Sequence, residues 1–156
     1  MKTDASEKPA ADSQAELKAR ALRHLVRREH SRAELARKLA PHAESAEAIE
    51  AVLDLLLSRK QQSDERFAEE RARVLSRKFG AAKIRQDLTA RGISEEVINR
   101  ISSRISSDPE LERARAILIR KYQEPATTRE EHAKRARFLQ SRGFSYDVIR
   151  SLLKAE

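Results

Sequence analysis

Residues 91–98 read RGISEEVI and residues 142–149 read RGFSYDVI. The same eight-residue segment, written twice 51 positions apart, restricts the fold more than any other feature of the chain. A third, degenerate copy, HAESAEAI, occupies residues 42–49. There His42-Ala43 stands where Arg91-Gly92 and Arg142-Gly143 stand later, but the flanks keep register. Leu39, Leu88 and Leu139 each precede Ile49, Ile98 and Ile149 by ten residues. Apolar residues follow at helical spacing: Val52, Leu53 and Leu56; Ile101 and Ile105; Leu152 and Leu153. A period near 50 with helical patterning predicts stacked helical units.

Each unit divides into three helices. In the first, one helix runs from about Glu16 to Arg28, the next opens at Ser31 with Glu34 as a capping box and stops before Pro41, and the third runs from near Ser45 to about Lys60. In the second, Ser63 or Asp64 starts a helix carrying Ala68, Ala72, Leu75 and Phe79 on one face. Gly80 interrupts it, and a short helix follows with Ile84 and Leu88 turned inward. Gly92 suits a left-handed helix stop and Ser94 caps the helix holding Val97, Ile98, Ile101 and Ile105. The third opens with Asp108 as cap and Pro109 at the first helical position, breaks at Pro125, restarts at a Thr128/Glu131 capping box, stops at Gly143 and restarts at Ser145. The repeated octet is thus a helix stop joined to a helix start. Expected boundaries are a disordered polar tail over 1–14 and three-helix repeats over 15–62, 63–107 and 108–156.

Composition agrees with an all-α fold. Ala, Leu, Glu, Arg and Lys dominate, only 4% of residues are aromatic, and there are three glycines and four prolines. The N-terminal stretch lacks the apolar core of a signal peptide and no run is long enough to span a membrane, which points to a cytoplasmic chain. With no cysteine there is no disulfide or thiolate metal site. The histidines, His24, His30, His42 and His132, lack metal-binding spacing and are read as surface or corner residues. The isolated glycines form no phosphate loop and no nucleophilic triad stands out, so neither catalysis, nor a metal, nor a cofactor is expected.

The net charge of +8 is spread along the body: −2 over residues 1–16, then +4, +2 and +4 over 17–62, 63–108 and 109–156. Such a distribution fits a long polyanionic partner. Residues 83–101 resemble a DNA-reading helix-turn-helix, but Leu88 and Leu139 stand where that motif needs a small residue, and a site-specific reader has little use for three degenerate copies. A second repeated signal closes the first helix of each unit: VRRE at 26–29, SRKF at 76–79 and IRKY at 119–122. The doublets Arg27-Arg28, Arg77-Lys78 and Arg120-Lys121 would complement the partial negative charge at a helix C-terminus. They would equally form a row of cations able to follow a periodic partner, extended by Arg91 and Arg142 and, on the short helix, by Lys83 and Arg85.

The middle unit's Asp64-x-x-Phe67-Ala68 opening, the Lys83-Ile84-x-x-x-Leu88-x-x-x-Gly92-Ile93 stretch and the closing Arg142-Gly143-Phe144-Ser145-x-Asp147-x-Ile149 resemble the bacterial RecX regulatory proteins over roughly residues 15–156. A departure is Phe79-Gly80-Ala81-Ala82, where family members often carry a Gly-rich junction. The resemblance implies an elongated, curved helical array with no enzymatic activity. It implies a monomer that binds RecA and RecA–DNA filaments and modulates, chiefly by inhibition, RecA ATPase, strand exchange and coprotease activity in recombination and the SOS response. Single- or double-stranded DNA is a further implied partner. The alternatives are a helical-repeat protein that binds DNA without RecA and a purely structural helical adaptor.

Overall fold

The computed structural model describes residues 9–105 and 110–154. Among them it contains nine α-helices, one 3-10 turn and no strand. The first repeat is α1 (Gln14–Arg27), α2 (Arg32–Leu39) and α3 (Ala46–Ser58), with the 3-10 turn Ala40–His42 after α2. The second is α4 (Asp64–Leu75), α5 (Ala81–Ala90) and α6 (Glu95–Ile105). The third is α7 (Glu110–Lys121), α8 (Arg129–Ser141) and α9 (Tyr146–Lys154). The Asp108 cap and Pro109 lie outside the described residues.

Helix starts follow local chemistry. Ser13 with Glu16, Ser31 with Glu34, and Thr128 with Glu131 form capping boxes, each side chain bonding the other's free backbone N–H. Ser45, Ser94 and Ser145 cap α3, α6 and α9 by accepting from the amide three residues on. The tail expected to be disordered through residue 14 is corrected at its end. Gln14 is helical, the Asp12 amide donates to the His42 carbonyl at 2.8 Å, and the Asp12 carboxylate pairs with Arg20 at 2.9 Å.

The repeated corner is one motif used twice. At Gly92 (φ 82°) and Gly143 (φ 88°) the chain turns left-handed. The Gly92 amide then bonds the Thr89 carbonyl and the Ile93 amide bonds Leu88, while Gly143 bonds Gln140 and Phe144 bonds Leu139. These paired bonds satisfy carbonyls that a helix end would otherwise leave open. Both plugging residues, Ile93 and Phe144, are buried. The first repeat has no glycine there, and a left-handed backbone is costly for residues with a Cβ. It makes the same six-residue passage from Leu39 to Ser45 through the 3-10 turn, with Ala43 at φ −92°. That is why the first copy of the octet is degenerate.

Each repeat has its own core, and the helix pairs that pack extensively lie within one repeat. Leu17, Ala21, Leu35, Leu39, Val52, Leu53 and Leu56 form the first core. In the second, Ile84, Leu88, Ile98 and Ile101 are buried as their spacing predicts, with Val97 packed partly against them and Phe67 added. The third gathers Ala114, Ile117, Leu118, Leu139, Phe144, Ile149 and Leu152. The chain divides into two compact units, one ending at Ser63 and the other starting at Asp64. The second and third repeats therefore share a unit, for reasons that lie at their junction.

Candidate basic cleft

The junction starts where α4 ends. After Leu75 the chain makes a turn through Ser76, Arg77 and Lys78, which leaves the carbonyls of Arg77, Lys78 and Phe79 outside the helical ladder. Three arginines of the third repeat reach these three successive oxygens. Arg120 Nη2 donates to the Arg77 carbonyl at 2.8 Å, Arg142 Nη1 to Lys78 at 3.4 Å and Arg113 Nη2 to Phe79 at 2.9 Å. Backbone bonds join in: the Gly80 amide donates to the Arg142 carbonyl at 2.7 Å and the Ala82 amide to Gly143 at 3.2 Å. The two chains meet without room for a side chain. A Cβ on Gly80 would lie 2.5 Å from the Gly143 carbonyl oxygen, and one on Gly143 would lie 2.6 Å from the Lys83 backbone nitrogen. Gly80, expected only to interrupt a helix, is thus the contact that lets two repeats touch.

This junction gathers half of the ten candidate cations. Arg77, Lys78, Arg120, Lys121 and Arg142, with Ile117 and Phe138, line an open cleft of about 300 Å³. Lys121 lies over the Phe138 ring at 4.2 Å, and Arg142 stacks over Phe138 and Phe79 at 5.2 and 5.4 Å. Tyr122 meets Phe138 edge-to-face at 6.0 Å, and the buried Arg135 covers the Tyr122 ring while donating to the Glu124 carbonyl. No lining residue is acidic. Among the described residues, none of the five cations forms an ion pair with a carboxylate. Of the doublet residues, Arg120 does serve a helix end, but it is the end of the neighbouring repeat's helix rather than its own. Arg77 and Lys78 contribute their carbonyls to the junction and leave their side chains exposed.

The other candidates are dispersed. Lys83 is exposed beside a second shallow pocket lined by Leu75, Phe79, Gln86 and Asp87. Arg85 bonds Asn99 at 3.0 Å. Arg91 is held at 3.1 Å by Asp87, which also takes two bonds from Arg71 at 2.8 and 2.9 Å. The Arg71 hydrogen bonds, against desolvation, hold the Asp87 carboxyl below the ordinary carboxylate range. In the first unit Arg27 is exposed, while Arg28 bonds the Glu29 carbonyl and the Glu34 carboxylate. Arg113 and Phe138 escape a reading by repeats. The doublets of repeats two and three lie 43 residues apart, and that offset puts Glu70 opposite Arg113, while Asp87 stands where Phe138 stands at the corner offset of 51.

Three family models fall on the chain, one within each of the three helical repeats. RecX first, second and third three-helix domains match residues 18–56, 63–100 and 108–153 in that order. The chain belongs to the RecX family. The Regulatory protein RecX of Leptothrix cholodnii is 45% identical over 141 residues, covering 90% of this chain and 89% of its own length. That of Ralstonia nicotianae is 40% identical over 138 residues, covering 88% and 86%. Its counterpart in Neisseria gonorrhoeae is 44% identical, covering 90% and 91%. A crystal structure of RecX from Lactobacillus salivarius matches with a TM-score of 0.80 at 20% identity, over 91% of this chain and 95% of that one. A second RecX crystal structure matches at 0.79 and 24% identity, over 92% and 73%. At those identities the likeness is one of fold. The basic cleft lies between the second and third RecX domains, with Arg77 to Phe79 inside the former and Arg113 to Arg142 inside the latter.

Proposed function

We propose that this chain is a non-enzymatic regulatory protein that binds RecA and RecA–DNA filaments and lowers RecA's ATPase, strand-exchange and coprotease activities in recombination and the SOS response. Membership of a family whose curated relatives are named regulatory proteins supports a regulatory role. The observation that carries the binding surface is the cleft of five cations without a lining carboxylate. The protein works as a monomer in the cytoplasm, and no helix among the described residues is long and apolar enough to cross a membrane. Direct DNA binding without RecA is the second reading, favoured by the same cleft.

Titration into RecA filaments on single-stranded DNA tests the proposal. Filament ATP turnover should fall as the protein is added, and the chain alone should hydrolyse none. Reversing Arg77 and Lys78 to Glu should weaken filament binding while Tm stays within a few degrees, because exposed side chains contribute little to folding and the junction uses these residues' carbonyls. An unchanged turnover across a wide titration would defeat the inhibitory reading. Full binding by the reversed variant would defeat the cleft.

A further inference from the structure

We propose that the cleft is a composite oxyanion site, built only when the second and third repeats are docked, and that the phosphates of a single nucleic-acid strand clamp them together. This deepens the filament reading by naming the strand as what the cleft touches, and rests on that reading only for the strand's setting.

The cations come from both sides of the junction. Arg77 and Lys78 belong to repeat two, and Arg120, Lys121 and Arg142 to repeat three. Elsewhere the protein neutralises several of its arginines with carboxylates, as at Arg32 with Glu50 and Asp54, Arg71 with Asp87, and Arg104 with Glu65. At the junction it uses carbonyl oxygens and aromatic faces instead. Those partners orient the cations without cancelling their charge, so like charges stand together and an external anion relieves them. A guanidinium has five N–H donors in a planar fork, so Arg120 and Arg142 keep donors for a phosphate while holding the neighbouring carbonyls. A single strand carries one charge per nucleotide and so matches five cations in one cleft better than isolated carboxylates do. The Phe138 ring is covered by Lys121 and Arg142 and does not stack bases, which makes the contact one with the backbone, independent of sequence.

Because the anion binds the docked arrangement and not the separated repeats, binding and docking are linked. The amides of Gly80 and Ala82 report docking directly, since they donate across the junction to Arg142 and Gly143.

The test uses the full chain and a fluorescent oligothymidylate. The log–log salt slope should approach about −3.5, five contacts at roughly 0.7 each. At 100-fold excess over Kd, hydrogen exchange of the Gly80 and Ala82 amides should slow about 100-fold. Gly80→Ala removes no charge but leaves no room for docking, and should weaken binding about tenfold or more as the two cation sets separate. Arg77→Gln with Lys78→Gln should weaken it similarly while sparing the junction. If Gly80→Ala loses helicity by circular dichroism, the exchange measurement on the unaltered chain decides. Unchanged exchange at saturating oligonucleotide, or full affinity in a folded Gly80→Ala variant, overturns the composite site. Competition by polyglutamate equal to that by oligothymidylate at matched charge overturns phosphate as its ligand. Either result leaves inhibition of RecA filaments to be judged by ATP turnover, where failure of that reading appears instead.

Discussion

His30 lies in the corner between α1 and α2, one of the two placements expected of the histidines, but inside it rather than at the surface. It is 2% exposed. Its Nδ1 lies 3.0 Å from the Arg28 carbonyl, which can only accept, so Nδ1 carries the proton and Nε2 accepts from the Lys38 ammonium at 2.9 Å. The Gln62 amide bonds the His30 carbonyl, the His24 ring stands 5.6 Å away, and the Glu34 carboxylate is near enough to oppose the fall in the His30 pKa. Burial first, then Arg28 and Lys38, hold its pKa below 6.5, and His24 is lowered too. The unfolded chain therefore takes up these protons first as pH falls, so stability is full above about 6.5 and declines below it. Tm should fall between pH 7.5 and 5.5, and His30→Gln should flatten that dependence. An unaltered slope would show that His30 does not carry it. Leu88, 1% exposed in the second core, makes a simpler case: Leu88→Ala should cost about 2–5 kcal/mol by chemical denaturation.

At the scale of elements, caps and corners differ in weight according to burial. Ser31 and Ser45 both cap helices, yet Ser31 is 0% exposed and reciprocally bonded with Glu34, whereas Ser45 is exposed. Ser31→Ala strands the buried Glu34 amide and should cost up to about 2 kcal/mol, while Ser45→Ala should cost about 0.5–1 kcal/mol. Equal losses in urea denaturation would mean that burial does not set the cost. These elements were legible because their chemistry is local: a hydroxyl and a carboxylate three residues apart, or a glycine where φ is positive. The α4 end was less so, since its apolar pattern runs on to Phe79 whereas the helix stops at Leu75.

At the scale of the whole molecule, one of the two packing units is larger than the repeat. Residues 64–156 contain two cores joined by the arginine–carbonyl contacts and the Gly80–Gly143 approach. A chain of residues 64–156 should fold alone and melt in one cooperative transition by circular dichroism. Two separate transitions would mean that the junction is too weak to couple the repeats. The three helical cores were readable because a helix writes its buried face at i, i+3 and i+4. The junction leaves no period, because its three arginines meet carbonyls some 34 to 64 residues away.

By itself the sequence determined that this protein is helical, that it is built three times over, where most of its helices start and stop, and which leucines and isoleucines face inward. Each of these follows from interactions within a few residues or from the fixed pitch of a helix. Tertiary structure alone decided which basic residues act together. Ten candidate cations looked equivalent along the chain, but folding ties Arg91 to Asp87 and Arg28 to Glu34 and brings Arg77, Lys78, Arg120, Lys121 and Arg142 into one cleft. A charge is recorded in the sequence, whereas its neighbours depend on distance in space, and in the cleft that distance is set by two glycines through which neighbouring backbones touch.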